Sequence, residues 1–270
     1  MRPYFLYSET TQRNQPDELA IVRKIFGEEN CGDLITKIPE ERIVIPRFRA
    51  IPFGKELEQE IINRGSVLIN SYREHSNVAN VFYWAPLLEE LTAPAHHDWE
   101  VPYLPEGEWF VKGETNSIKN RWFECCYAPN KKTLPEIVRN NQLDVYVGTQ
   151  EIVIRPYQNF RVIGLAIDNR PVFNERRCFV VNGQLVSQGD YWTSYPEYKV
   201  AALDEEKFNR AIQGAIEKVG TIAPFLVIDL AENPDGRWSV IELNDGCQSG
   251  LSDNDPEVVW QAVSDYIEKQ

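Results

Sequence analysis

Histidine is scarce in this 270-residue chain: there are three, and none belongs to a recognisable nucleophile–His–acid triad. The five cysteines (31, 125, 126, 178 and 247) are odd in number and lack zinc-ligand spacing. Adjacent Cys125 and Cys126 are poor partners for each other, so reduced thiols in a cytosolic protein are expected. Positive charge is also short. With 28 Lys and Arg against 41 Asp and Glu the net charge is −13, which argues against broad, nonspecific nucleic-acid binding. No apolar run approaches the ~18 residues of a membrane span. The opening MRPYFLYSET is too short and polar for a secretory signal, so a cytoplasmic protein without a membrane partner is expected. Internal repeats, low-complexity tracts and the G-x-x-x-x-G-K-[ST] phosphate loop are all missing.

What remains is a globular composition, 43% hydrophobic and 26% charged, long enough to bury a sizeable core. Over residues 1–93 short strands and helices alternate. Tyr4–Tyr7, Arg42–Pro46 and Ser66–Asn70 read as strands; Pro16–Phe26, Lys55–Arg64 and most of Val78–Leu91 read as helices. That alternation predicts an α/β unit with a parallel sheet. A boundary is expected at Thr92–Ala95, followed by an irregular stretch to Gly107. Beyond it strands dominate: 109–111, 145–147, 152–154, 162–167, 177–181 and 184–189. A helix over Asp204–Val219, with Asp204 as N-cap and Gly220 past its end, and a closing helix Pro256–Glu268 complete an α+β pattern. The expected division is 1–93 and 94–270.

The stretch Phe225–Leu251, FLVIDLAENPDGRWSVIELNDGCQSGL, carries the chemistry. If Pro234–Arg237 form a hairpin loop, Asn233 pairs with Trp238 and therefore Asp229 with Glu242; Asn244 shares their face. Two carboxylates and an amide oxygen then converge, a hard-oxygen set suited to Mg²⁺. Phosphates need cations, and the chain is locally basic over Lys112–Arg121 and Arg170–Arg177. Lys112 ends an apolar strand, and the polar segment Gly113–Lys119 after it can present N–H groups and a second ammonium, Lys119. A surface lysine beside a loop is the plainer reading. At Arg155–Tyr157 a strand stops at Pro156, freeing backbone groups for a purine edge or simply ending at a sheet margin. In Asn174–Gly183 an Asn-Gly turn closes a hairpin on which Arg177, Phe179 and Val181 share a face. Arg177 there either offsets phosphoryl charge or makes a surface ion pair with Glu175 or another acid.

Taken in order, strand-Lys112, polar loop, strand-Arg155, ERRCFVVNG, FLVIDLA and IELNDGCQSGL resemble the ATP-grasp superfamily, nearest to its RimK-related branch, the R2K clade. The resemblance covers about residues 105–255, and VIPRFRAIPFGKEL with GSVLINSYREH looks like the N-terminal pre-ATP-grasp domain of that family. It implies ATP and Mg²⁺ as cofactors. Lys112, Lys119, Arg155, Tyr157 and Arg177 match nucleotide-binding positions, Lys112 and Arg177 catalytic charge neutralisers, and Asp229, Glu242 and Asn244 the metal ligands. The 113–119 loop lacks the several glycines common in the family, which leaves Lys119 open, and Asp245-Gly246 departs after the metal asparagine. The implied activity is ATP-dependent, ADP-forming carboxylate–amine ligation through an acyl phosphate, on small-molecule or peptide substrates. A kinase-like phosphotransferase and a non-catalytic ATP-binding module are the alternatives. His96 and His97 are adjacent and project in different directions, so they are not read as metal ligands. His75 is expected in a loop that faces substrate if the first domain covers the ATP site, and Cys247 is read as structural. The aromatic 185–205 segment either lines a pocket or packs, and oligomeric state is not legible.

Overall fold

The computed structural model describes residues 1–48, 53–195, 197–198 and 203–270. Residues 49–52 of the N-terminal resemblance, and 196 and 199–202 of the aromatic segment, lie outside the described residues.

The N-terminal sheet is parallel throughout, as the alternation predicts. Its order is β2-β1-β3-β4, with β1 Arg2–Tyr7, β2 Cys31–Gly32, β3 Arg42–Arg47 and β4 Val67–Leu68. Tyr4 to Tyr7 are all buried, the unbroken apolar run of a strand covered on both faces. On one face Tyr4, Leu6 and Val44 meet Leu57 and Ile61 of α3 (Gly54–Asn63). On the other, Phe5, Ile43 and Ile45 meet α2 (Pro16–Phe26), which follows the short α1 (Glu9–Asn14). The expected strand Ser66–Asn70 shrinks to β4, because Ser71 and Glu74 form a capping box that starts α4 (Tyr72–Ala79). A second helix, α5 (Val81–Leu88), follows directly.

A middle sheet runs β5-β8-β6-β7: His96–His97, Ile152–Pro156, Trp109–Gly113 and Tyr127–Ala128, all antiparallel. The sequence reading missed its helix α6 (Leu134–Gln142), although Pro135 stands at a helix-start position. It also placed a strand at 145–147 where there is a turn. The Asp144 carboxylate accepts the Tyr146 and Val147 N–H groups at 2.9 and 3.0 Å and bends the chain, leaving Val145 and Tyr146 exposed. After the small β9–β10 hairpin (Val162–Leu165, Pro171–Phe173) comes the third sheet. Its order is β12-β11-β13-β14: Gln184–Asp190, Glu175–Val181, Phe225–Glu232 and Trp238–Asp245. Alternate residues sort to opposite faces. Cys178, Val180, Leu226 and Ile228 pack on α5 and α7 (Glu205–Val219); Phe179, Val181, Phe225 and Val227 pack toward the N-terminal sheet, α2 and α8 (Pro256–Glu268). Asp204 caps α7 by accepting the Lys207 N–H, as expected. Two hydrophobic clusters thus combine residues from both sides of position 93. All five cysteines are free, and no helix among the described residues is long and apolar enough to cross a membrane.

Candidate functional site

Asp229 and Glu242 do stand opposite each other across β13 and β14, though not by the expected route. The turn is one residue longer than the sequence suggested: the Asn233 N–H donates to the Arg237 carbonyl at 2.7 Å, and Trp238 pairs with Glu232 instead of Asn233. Carried on unbroken, that register would set Asp229 against Ile241 and turn Glu242 to the other face. A bulge at Asp229/Leu230 takes up one residue of β14. Because strand side chains alternate with period two, it brings Glu242 and Asn244 onto the face of Asp229.

Each carboxylate holds a cation. Arg177, the register partner of Asp229 on β11, donates from Nε to Oδ1 at 2.9 Å and from Nη2 to Oδ2 at 2.8 Å. Asn244 Nδ2 donates to the same Oδ2 at 3.2 Å, and Lys112 Nζ on β6 donates to Glu242 Oε1 at 2.6 Å. Lys112 is buried and is no surface lysine. Arg177 does make a cross-strand pair with an acid, but a buried one. Burial alone would raise the Glu242 pKa; Lys112, then Lys119 and Arg177, override it and hold the carboxyl below its usual range.

An ionised carboxylate offers about four lone-pair positions. The Arg177 and Asn244 donors leave Asp229 room on Oδ1 and Lys112 leaves Glu242 its Oε2, while Asn244 presents its amide N–H to Asp229 and would offer its oxygen to an ion only after its amide turns over. Such a hard-oxygen set fits Mg²⁺. Among the described residues no three His, Cys, Asp or Glu form a metal cage.

Next to this cluster opens a cleft enclosing about 770 Å³, solvent at its mouth included. Phe110, Trp122, Tyr157, Phe160, Phe173 and Ile241 give it flat apolar walls, and Lys112, Lys119, Arg170, Glu175 and Glu242 its charge. Lys119, despite its glycine-poor loop, reaches the cleft. Its Nζ lies 5.3 Å from the Tyr191 ring centre and 5.8 Å from that of Trp192. Burial opposes its charge, but Tyr191, Glu242, Glu175 and Asp229 together raise its pKa.

Arg155 and Tyr157 line the cleft in ways the sequence reading did not foresee. The Arg155 guanidinium donates to the Ile241 carbonyl (3.0 Å), Thr92 Oγ1 (2.6 Å) and the Ala93 carbonyl (2.6 Å), clasping β8 to the bulge and to the 92–93 linker. Burial pulls its pKa down to about 10. The Tyr157 N–H is not free for a purine: it donates to the Glu108 carbonyl at 2.9 Å. Its ring packs edge-on against Tyr127, and burial pushes its hydroxyl up to about 12.

Glu175 was not expected in the site; Arg170 comes from the basic stretch 170–177 and Trp192 from the aromatic segment expected to line a pocket or pack, and all three line the cleft. Glu175 is buried with Oε2 unpartnered; burial, with help from Asp229 and Glu242 and against Lys119, raises its pKa to about 7. The signal was present, since 175 continues the 177, 179, 181 alternation. Arg177 lies 4.6 Å over Tyr191 and Arg170 5.2 Å over Trp192, contacts between distant segments that no local pattern announces. His75 lies on α4, not in a loop, with Nδ1 2.9 Å from Asp245 Oδ2. Cys247 is buried, its thiol donating to the Ile69 carbonyl.

A family model for the ATP-grasp domain, R2K clade family 3, matches residues 95–263. The chain belongs to that family. Solved structures share the ATP-grasp fold over nearly the full length. A RimK-domain ATP-grasp protein from Sphaerobacter thermophilus superposes with a TM-score of 0.64 at 12% identity, covering 98% of this chain and 99% of its own. D-alanine–D-alanine ligase from Bacillus anthracis gives 0.63 at 10% identity, with 100% and 97% covered. The ATP-grasp ligase PsnB, solved with a variant of its minimal precursor, Mg and ADP, gives 0.54 at 10% identity, with 98% and 99% covered. No curated protein matches the chain.

Proposed function

We propose that the protein is an ATP-dependent carboxylate–amine ligase that forms ADP through an acyl phosphate. One observation carries this reading: the pairs Lys112–Glu242 and Arg177–Asp229, with Asn244, converge beside an aromatic cleft in an ATP-grasp fold. In the reaction a substrate carboxylate oxygen attacks the γ-phosphorus of ATP, the bond to ADP breaks, and an amine displaces phosphate from the acyl phosphate. Phosphoryl transfer asks mainly for positioning and charge neutralisation, which these residues provide without a side-chain nucleophile.

The apolar walls take the purine and exclude water. Lys112 and Lys119 bind phosphate oxygens, Lys112 exchanging its Glu242 contact for them, and Arg177 offsets charge on the transferring phosphoryl group. Asp229, Glu242 and Asn244 would hold Mg²⁺, which supplies charge neutralisation along the phosphates when bound. Tyr157 walls the adenine end, and Arg155 acts by clasping β8 to the bulge and the 92–93 linker rather than by touching the nucleotide. Residues 1–93 form a pre-ATP-grasp domain and 94–270 the ATP-grasp domain of a cytoplasmic enzyme. The D-alanine and precursor-peptide ligases among its structural neighbours favour amino-acid or peptide substrates. Incubation with Mg·ATP and paired amino acids or peptides should release ADP and phosphate and form an amide. AMP with pyrophosphate would refute the acyl-phosphate route; a stable phosphorylated product would make it a phosphotransferase.

A further inference from the structure

The Asn244 strand continues into a short loop, Gly246–Gly250, and the N-terminal sheet reaches across to hold that loop by its backbone. Arg47, the last residue of β3, is 4% exposed and donates from Nη1 to the carbonyls of Cys247 (3.0 Å) and Ser249. Its Nε and Nη2 are fixed by Glu18 of α2 at 2.9 and 3.2 Å, and Glu18 also accepts the Trp260 indole N–H at 2.9 Å. Asn70 adds a second hold: its side-chain Nδ2 donates to Asp245 Oδ1 at 2.9 Å and to the Phe225 carbonyl at 2.6 Å, while its Oδ1 accepts the Phe225 N–H at 3.0 Å. At the far end of the loop Arg177 Nη1 donates to the Gly250 carbonyl at 2.8 Å.

The loop also forms one wall of a groove at the carboxyl ends of β1 and β3, where open parallel sheets place their ligands. Ser8, Thr11, Gln15, Gln248 and Gly250 line it, and the buried Arg47 reaches its wall from behind the loop. Gln15 and Gly250 also border the neighbouring hollow that contains Arg177, so the groove leads toward the reacting end of the site. No residue of the loop lines the aromatic cleft.

We infer that Arg47 is a positioning residue: from the N-terminal sheet it sets the loop that binds the second substrate, and it acts on that substrate's half of the reaction without acting on the nucleotide. The groove takes the carboxylate or amine substrate, hydrogen-bonded by hydroxyl and amide side chains. This rests on the ligase reading above.

Replacing one member of a buried ion pair strands the other, whereas removing both charges together is close to neutral, so the informative variant is E18Q/R47M. It keeps an acceptor for Trp260 and loses the anchor. Three readouts apply to the whole 270-residue chain. Hydrogen exchange should show the amides of 246–250 losing roughly tenfold or more of their protection. Calorimetry should show unchanged Mg·ATP affinity. With a pool of proteinogenic amino acids and their dipeptides, ADP release should fall by roughly tenfold to a hundredfold, through a raised KM for the second substrate and not for ATP. Unchanged protection of the loop, undiminished ADP release, or an equal loss of Mg·ATP affinity would each overturn the inference. If the unaltered protein itself releases no ADP with any pool, the ligase reading has failed, while the exchange experiment still decides whether Arg47 anchors the loop.

Discussion

Arg47–Glu18 and Arg177–Asp229 are both two-pronged arginine–carboxylate pairs within the protein, and both arginines also hold carbonyls of the loop that follows Asn244. Their surroundings separate them. The first pair is closed: Glu18 spends its remaining capacity on Trp260, Arg47 stacks 5.4 Å over that same ring, and the two only edge the polar groove and hollow beside them, apart from the aromatic cleft. The second pair is open: Asp229 keeps an acceptor position, Asn244 and the Lys112–Glu242 pair stand beside it, and a cleft with cationic lining adjoins. A closed pair acts only through what it holds in place, here the loop after Asn244. An open one neutralises itself while no ligand is bound and can exchange partners, carboxylates to a metal and cations to phosphate, with little movement.

The sharpest way to break this contrast is to neutralise the open pair's carboxylates without changing their shape. D229N and E242Q should each lower ADP release by roughly 10²–10³-fold with the fold retained; normal turnover in circular-dichroism-verified protein would erase the distinction. For the closed pair the single substitution shows first in stability, and turnover changes only through the loop that Arg47 anchors. R47M strands the buried Glu18 carboxylate and should cost about 3–5 kcal/mol in urea unfolding, most of it recovered in E18Q/R47M. A double variant as unstable as the single one would show that hydrogen bonds to the loop, and not the stranded charge, dominate.

Glu175 tests the open site through pH. A carboxyl whose pKa is higher in the folded protein binds protons more tightly there, so stability falls as pH rises from the ordinary carboxylate range through about 7. E175Q removes that loss. It should be more stable than the unaltered protein at pH 8 by about 1–3 kcal/mol, the difference closing below pH ~4. An identical pH dependence of melting in the two proteins would contradict the burial argument. D204A, which lies at the start of α7 and touches neither pair, should cost only about 1 kcal/mol and leave turnover unchanged.

How much of this was legible in the sequence depends on the range of the interactions involved. Elements set by local rules read well: α2 and α8 were bounded correctly, Asp204 capped α7, and Asn182-Gly183 turned β11 into β12 with positive φ at both residues. The 145–147 strand failed because a single side chain, Asp144, outweighed the apolar run after it. The Asp229–Glu242 pairing was reached from a loop one residue too short, and a bulge that no local pattern marks restored it. Arg155 was assigned to the nucleotide, yet its partners Thr92, Ala93 and Ile241 come from segments far along the chain. The same holds for Arg47 and the 246–250 loop. Contacts made only by folding are where sequence reasoning ran out.

The most direct test of the central claim is calorimetry of ATP binding with and without Mg²⁺, on the unaltered protein and on D229N/E242Q. Mg²⁺ should strengthen ATP binding to the unaltered protein and no longer do so in the double variant. Metal-free ATP, held by Lys112, Lys119 and Arg177, should bind the variant at least as tightly as before. Equal Mg²⁺ enhancement in both proteins would contradict the account and place the metal elsewhere.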